Sequence, residues 1–200
     1  MKRSWFGMAV LVVALVTVVA CGKPPQQDID AAKVAMDEAK AAQADKWAGA
    51  DYQAAESSMS AAQAEVDAQA QKWFKNYDKA KELMNTAKAD SEKAKAAAIT
   101  NKETAITDAT TAITDATTAL EMANTALMGA PKGKDTKADL ELFKQDLDGL
   151  AATLTEAQTA MGSEDYTGAK DKANSVKEKA TSISEQIAQA AAKRAGGKKK

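Results

Sequence analysis

TAITDAT, Thr104 to Thr110, is followed without interruption by TAITDAT again, Thr111 to Thr117. Around this duplicated heptad Ile99, Ile106, Ile113, Leu120 and Leu127 recur seven apart. Alanines follow three residues later at Ala109, Ala116 and Ala123, and precede at Ala98, Ala105, Ala112, Ala119 and Ala126. A seven-residue period is two turns of an α-helix, whereas a half-buried strand repeats every two residues, so the stretch predicts a helix with an Ile and Ala seam. Threonine is a poor helix former because branching at Cβ removes rotamer freedom, so packing against neighbours must compensate.

Outward from this seam the same steps of three and four continue, predicting about five helices. The first carries Ile29, Ala32, Met36 and Ala39 and fades near Trp47; the second carries Tyr52, Ala55, Met59, Ala62, Val66, Ala70 and Trp73. The third begins with Tyr77, Ala80, Met84 and Ala87, changes register near Ala98 and Ile99, and runs to about Met128. At ~1.5 Å per residue it would be ~78 Å long. Thr100 with Glu103 has the spacing of a capping box, so a break at that point is the rival geometry. Gly129, Ala130, Pro131, Lys132 and Gly133 end it, and Asp135 or Thr136 is placed to cap the next helix. The fourth carries Leu140, Phe143, Leu147, Leu150, Leu154, Ala157 and Met161, with Gly162 and Ser163 as a turn. The fifth carries Tyr166, Ala169, Ala173, Val176, Ala180, Ile183, Ile187 and Ala190. The expected fold is all-α: an elongated antiparallel helical bundle or coiled coil, with two three-helix modules sharing the long central helix. Seams exposed on half-paired helices leave homo-oligomer formation open.

Composition agrees with thin helices. About a quarter of the 200 residues are alanine, and aromatic residues are 4%. The chain has no histidine, which removes the commonest general base and metal ligand, and its single cysteine, Cys21, excludes an intramolecular disulfide. The carboxylates are spread along helix faces without an isolated pair, and neither an EF-hand loop nor a Gly-rich phosphate loop occurs. We therefore expect no enzyme, no catalytic residue, no cofactor and no metal.

The first 20 residues separate from the rest. Lys2 and Arg3 precede the apolar run Trp5 to Ala20, which is shorter than the ~20 residues that span a bilayer and ends in small residues, as a cleaved export signal does. Val18, Val19, Ala20 and Cys21 resemble the bacterial lipobox. That resemblance implies cleavage before Cys21, acylation of its sulfur and amine, and anchoring to a lipid bilayer by chains that together hold practically permanently. By resemblance to enterobacterial lipoproteins, Gly22 stands where an aspartate would retain the chain at the inner membrane, so the implied address is the outer membrane, facing the periplasm. The domain reading is a signal peptide over 1–20, lipidated Cys21 and an extended linker over 21–27 containing Pro24 and Pro25, a helical bundle over 28–192, and a basic tail over 193–200.

After loss of Lys2 and Arg3, 25 basic residues face 28 acidic ones. Five of the basic residues, Lys193, Arg194, Lys198, Lys199 and Lys200, sit at the C-terminal end, leaving an acidic body. Phosphate binding needs a clustered basic face, so no nucleic-acid partner is expected.

Three helix starts match one another: Trp47–Tyr52 reads WAGADY, Trp73–Tyr77 reads WFKNY and Met161–Tyr166 reads MGSEDY. Asp51, Asn76 or Asp165 is expected to cap the helix, with the Tyr anchoring its first turn. A 34-residue tetratricopeptide period is absent. Ala41 to Lys102, with ADYQAAESSMSAAQAEV and NYDKAKELMNTAKADSEKAKA, resembles a family of alanine-rich bacterial lipoproteins of unknown function, some joined to an OmpA-like peptidoglycan-binding domain that this chain lacks. That resemblance covers about a third of the sequence, implies a helical envelope lipoprotein and brings no catalytic residues.

Two groups are candidate contacts. Trp47, Trp73 and Phe74, with Tyr52 and Tyr77, form either a partner-docking patch for an envelope protein or a hydrophobic cap on a thin bundle. Lys198, Lys199 and Lys200 follow two glycines; by resemblance to the murein lipoprotein, whose own terminal motif is not matched, Lys200 would join peptidoglycan, and otherwise the tail is solvated or meets anionic polymers. The expected function is a non-enzymatic, lipid-anchored periplasmic spacer or scaffold. The alternatives are an accessory subunit binding one envelope protein and a peptidoglycan tether.

Overall fold

The computed structural model describes residues 22–131 and 136–197. The expected leader, Cys21, Asp135 and Lys198, Lys199 and Lys200 lie outside the described residues. Among the described residues every regular element is an α-helix: α1 (Gln26–Ala41), α2 (Ala44–Trp47), α3 (Gly49–Ala70), α4 (Asp78–Gly129), α5 (Lys137–Gly162) and α6 (Tyr166–Gly197). The helices pack against one another on seams rich in alanine.

Several boundaries differ from the sequence expectation. The first helix does not fade toward Trp47 but stops at Ala41, where Gln43 adopts a left-handed backbone with φ 58°, and the four-residue α2 follows. Trp73 lies beyond the end of α3, not on it. The linker expected over residues 22–27 is already folded at its end, since Pro25 is buried and α1 begins at Gln26. At the other terminus α6 continues through Gly197, so residues 193–197 prolong the helix. Thr100 and Glu103 lie inside α4, which is helical throughout, so they begin no new helix.

The chain divides into two compact units, Met1–Asn101 and Lys102–Lys200. In the first, Ile29 and Ala32 of α1, Ala62 and Val66 of α3, and Tyr77, Ala80, Met84 and Ala87 form one buried cluster. Ala39, Ala44, Ala48, Ala94 and Ala98 form another. Ion pairs fix the directions. Lys93 pairs with Asp51 and Lys79 with Glu65, so α3 runs antiparallel to α4. Lys95 pairs with Glu38, and the Ser91 hydroxyl lies 3.9 Å from the Met36 sulfur, so α1 runs parallel to it. Ser91 is fully buried at a seam position, and its hydroxyl is satisfied by donating to the Ala87 carbonyl at 2.7 Å.

In the second unit Ala112, Ala116, Leu120 and Ala123 of α4 meet Leu147, Leu150, Leu154 and Ala157 of α5 and Ala173, Val176, Ala180, Ile183 and Ile187 of α6. Asp108 and Asp115, equivalent positions of the duplicated heptad, accept from Lys170 and Lys177, each at 2.8 Å. Both pairs advance together by seven residues, so α4 and α6 are parallel here. The threonines satisfy their hydroxyls locally. Thr107, Thr110, Thr114, Thr117, Thr118 and Thr125 each donate to the carbonyl four residues earlier, which lets a threonine-rich segment remain helical.

The buried stripe of α4 shifts where the sequence changes register. Through Tyr77, Ala80, Met84, Ala87, Ser91, Ala94 and Ala98 it steps by three and then four; beyond, Ala109, Ala112, Ala116, Leu120 and Ala123 carry the burial. The isoleucines do not occupy its centre as expected. Ile99 is exposed, and Ile106 and Ile113 are half-buried, flanking a line held by the buried alanines Ala98, Ala109, Ala112 and Ala116.

The α5–α6 turn gives a local test. Glu164 is left-handed, with φ 59°, and the Asp165 carboxylate caps α6 by accepting from the Gly168 amide at 3.0 Å. A Cβ on Gly168 would collide with that carboxylate, whereas a Cβ on Gly149, exposed in the middle of α5, meets nothing within 4 Å. Gly149→Ala should therefore raise stability by about 0.5–1 kcal/mol through lower backbone entropy in the unfolded chain. Gly168→Ala should show no gain, because displacing the cap costs about 1 kcal/mol. Thermal unfolding followed by circular dichroism checks both; an equal rise in Tm for the two variants would contradict the cap.

Candidate functional site

The aromatic residues grouped by sequence do not form one patch. Trp47, the last residue of α2, and Tyr52, in the first turn of α3, pack against the cluster of Ala39, Ala44, Ala94 and Ala98. Trp73 and Phe74 follow the other end of α3, and 22 helical residues, about 33 Å at ~1.5 Å per residue, separate the two locations.

Trp47 is held by its neighbours. Its indole N–H donates to the Gln43 side-chain oxygen at 3.3 Å, the Lys46 ammonium stands 4.8 Å from the ring centroid, and its carbonyl accepts from the Asn101 side chain at 2.7 Å. This ring closes the α2 turn onto α4.

Trp73 and Phe74 are 88% and 87% exposed and belong to none of the buried clusters. They therefore do not form a buried cap on the bundle. Among the described residues the other exposed large apolar side chains, Val34, Ile99, Met122, Met128 and Leu142, are scattered singly along helices, which is ordinary for a protein surface. Two adjacent rings of this size in water are not.

The segment that presents them is braced. Gln69, buried in the last turn of α3, donates from its amide nitrogen to Glu65 at 2.8 Å and accepts from the backbone amide of Asn76 at 3.4 Å. The Asn76 side chain in turn accepts from the Asp78 amide at 2.8 Å, and Tyr77 is buried beneath α4's first turn. Of the three expected caps, Asn76 and Asp165 bind amides at their helix starts. Asp51 does not: it lies within the first turn of α3 and pairs with Lys93 at 2.8 Å. Thr136 is no cap for α5, since its hydroxyl donates back to the Pro131 carbonyl at 3.1 Å.

Gly22 closes on the same segment. A Cβ at Gly22 would lie 3.0 Å from the Lys75 carbonyl oxygen and 3.5 Å from the Tyr77 ring. In sequence Gly22 has meaning only through its neighbour Cys21; nothing in the residue pattern marks this close approach to a turn some fifty positions away.

No group of three or more acidic or cysteine side chains among the described residues is arranged to hold a metal ion. A shallow groove between the start of α5 and the latter part of α6, lined by Pro131, Leu140, Phe143, Ile187 and Ala190, brings together no titratable cluster.

Charges near these surfaces follow their partners. Glu65 is held below its ordinary value, first by the Gln69 amide and then by Lys79. Lys93, Lys144 and Lys170 are held above theirs by Asp51, Asp148 and Asp108 respectively. A depressed carboxylate contributes stability above its unfolded pKa and loses it as pH falls through the folded one; a raised lysine contributes below its unfolded pKa and loses it as pH rises through the folded one. Glu65→Gln keeps an acceptor for Gln69 and removes the charge. We expect it to lower Tm at neutral pH and to match the wild type once the pH lies below the carboxylate range, as melts across that range would show. A difference that persisted unchanged in acid would assign the effect to packing.

No family model, no curated protein and no solved structure matches this chain.

Proposed function

We propose that the chain is a non-enzymatic envelope lipoprotein, anchored through acylated Cys21 at the outer membrane and acting in the periplasm as a helical spacer or scaffold. The observation that carries this reading is in the sequence: a basic start and a short apolar run closed by Val18, Val19, Ala20 and the single cysteine. No described helix is long and apolar enough to cross a membrane, and the helices use their apolar stripes on one another. On this reading α4 serves two three-helix modules, and the ion pairs along its flanks keep its neighbours in register.

Mass spectrometry of the protein purified from cell envelopes tests the anchor. We expect a chain that begins at residue 21, carries acyl groups and fractionates with the outer membrane, with acylation lost in Cys21→Ala. An acyl-free chain, or one cleaved elsewhere, would sink the reading. In-cell crosslinking on the same fractions tests the role: diffuse contacts support a spacer, whereas one stoichiometric protein would make the chain an accessory subunit. Retention on sacculi boiled in detergent would replace both with a covalent tether through Lys200.

A further inference from the structure

We propose that the segment Gln71–Tyr77 is a second membrane contact, in which Trp73 and Phe74 enter the interfacial layer of the lipid surface that holds Cys21. The inference rests on the reading of Cys21 as the anchored residue and adds a surface of the folded body to it.

Position is the first argument. The lipid would be attached one residue before Gly22, and Gly22 lies against the Lys75 carbonyl and the Tyr77 ring. Gly22 thus meets the segment that carries Trp73 and Phe74, and a lipid on residue 21 would be attached one peptide unit away, about 3.8 Å between Cα atoms. A membrane reached by acyl chains on residue 21 is adjacent to this turn.

Chemistry is the second. Tryptophan has an apolar body with one polar N–H and favours the boundary between hydrocarbon and headgroups; phenylalanine adds apolar area without a polar group that needs a partner. Lys72 and Lys75 flank the pair in sequence and Lys23 follows Gly22, so the segment carries the positive charge that an anionic lipid surface favours.

Rigidity is the third. The bonds from the Asn76 amide to Gln69 and from the Asp78 amide to the Asn76 side chain, with Tyr77 buried, brace the ends of the turn, so little further ordering accompanies insertion. A contact too weak to recruit a free protein is sufficient here, because the anchor makes it intramolecular and raises the effective lipid concentration. The anchor would hold the chain to the membrane, and the aromatic turn would set the body's orientation on it.

The test uses the protein purified from envelopes and reconstituted into vesicles of phosphatidylglycerol and phosphatidylcholine, with and without bromine on the upper acyl chains. Emission spectra of wild type and Trp73→Phe are subtracted to isolate Trp73. We expect that signal to be blue-shifted on the vesicles and to lose most of its intensity with brominated lipid, while the emission remaining in Trp73→Phe does not respond. Water-like, unquenched Trp73 emission would overturn the proposal. So would a shielded Trp73 that bromine does not quench, since a second copy or another protein would then cover the turn. The intact mass of the same sample decides the anchor separately. Missing acyl groups refute the anchor, and Trp73 quenching still decides the aromatic contact in that sample: quenching retains it and its absence overturns it.

Discussion

Close approach of helices through alanine is the constraint on which the remaining structure depends. Ala32, Ala39, Ala55, Ala62, Ala80, Ala87, Ala94, Ala98, Ala109, Ala116, Ala123, Ala157, Ala169, Ala173 and Ala180 have no exposed surface, whereas among the larger apolar side chains of the described residues few, Met84, Leu147 and Val176 foremost, are buried as fully. A methyl group removes little area from water, so each contact contributes modestly and the length of the seam supplies what thickness does not. On α4 the alanines Ala109, Ala112, Ala116 and Ala123 hold the buried line, and its isoleucines flank it.

The same thinness shapes the polar interactions. Side chains at the margin of a narrow seam reach across to the next helix, and most of the interhelical ion pairs lie at this margin, partly solvated. Such pairs add little stability one by one. Their value is geometric, since Lys93 with Asp51 and Lys170 with Asp108 define direction and axial position where a row of alanines would slide.

Helical character and most of the buried faces were legible in sequence because period seven survives in single residues. Ile29, Ala62, Val66, Met84, Leu147, Val176 and Ile183 are buried where the spacing puts them. What spacing did not carry was the end of each repeat. The α1–α2 break depends on Gln43, which carries no glycine signal for its left-handed backbone, and Trp73 continues the arithmetic of α3 although the helix has ended. Gln69 was equally silent. A polar residue beside Ala70 reads as solvent-facing, yet it is buried because the turn beyond it supplies a backbone donor. The grouping of Trp47 with Trp73 failed for a related reason: similar words at two helix starts mark similar local turns, and similarity says nothing about proximity.

Asp108 and Asp115 are chemically interchangeable, as are the lysines opposite them, so a slide of α6 by two turns would still pair Asp115 with Lys170 and give up one of the two partly solvated ion pairs. Unequal features must therefore specify the alignment. Lys102 with Glu164 and the bulk of Leu120 between small neighbours occur once each, and they set the axial position of α6 against α4. A lineage that copied the heptad once more in all three helices would obtain a longer body from the same contacts, whereas a copy gained in one helix alone would leave an unmatched bulge.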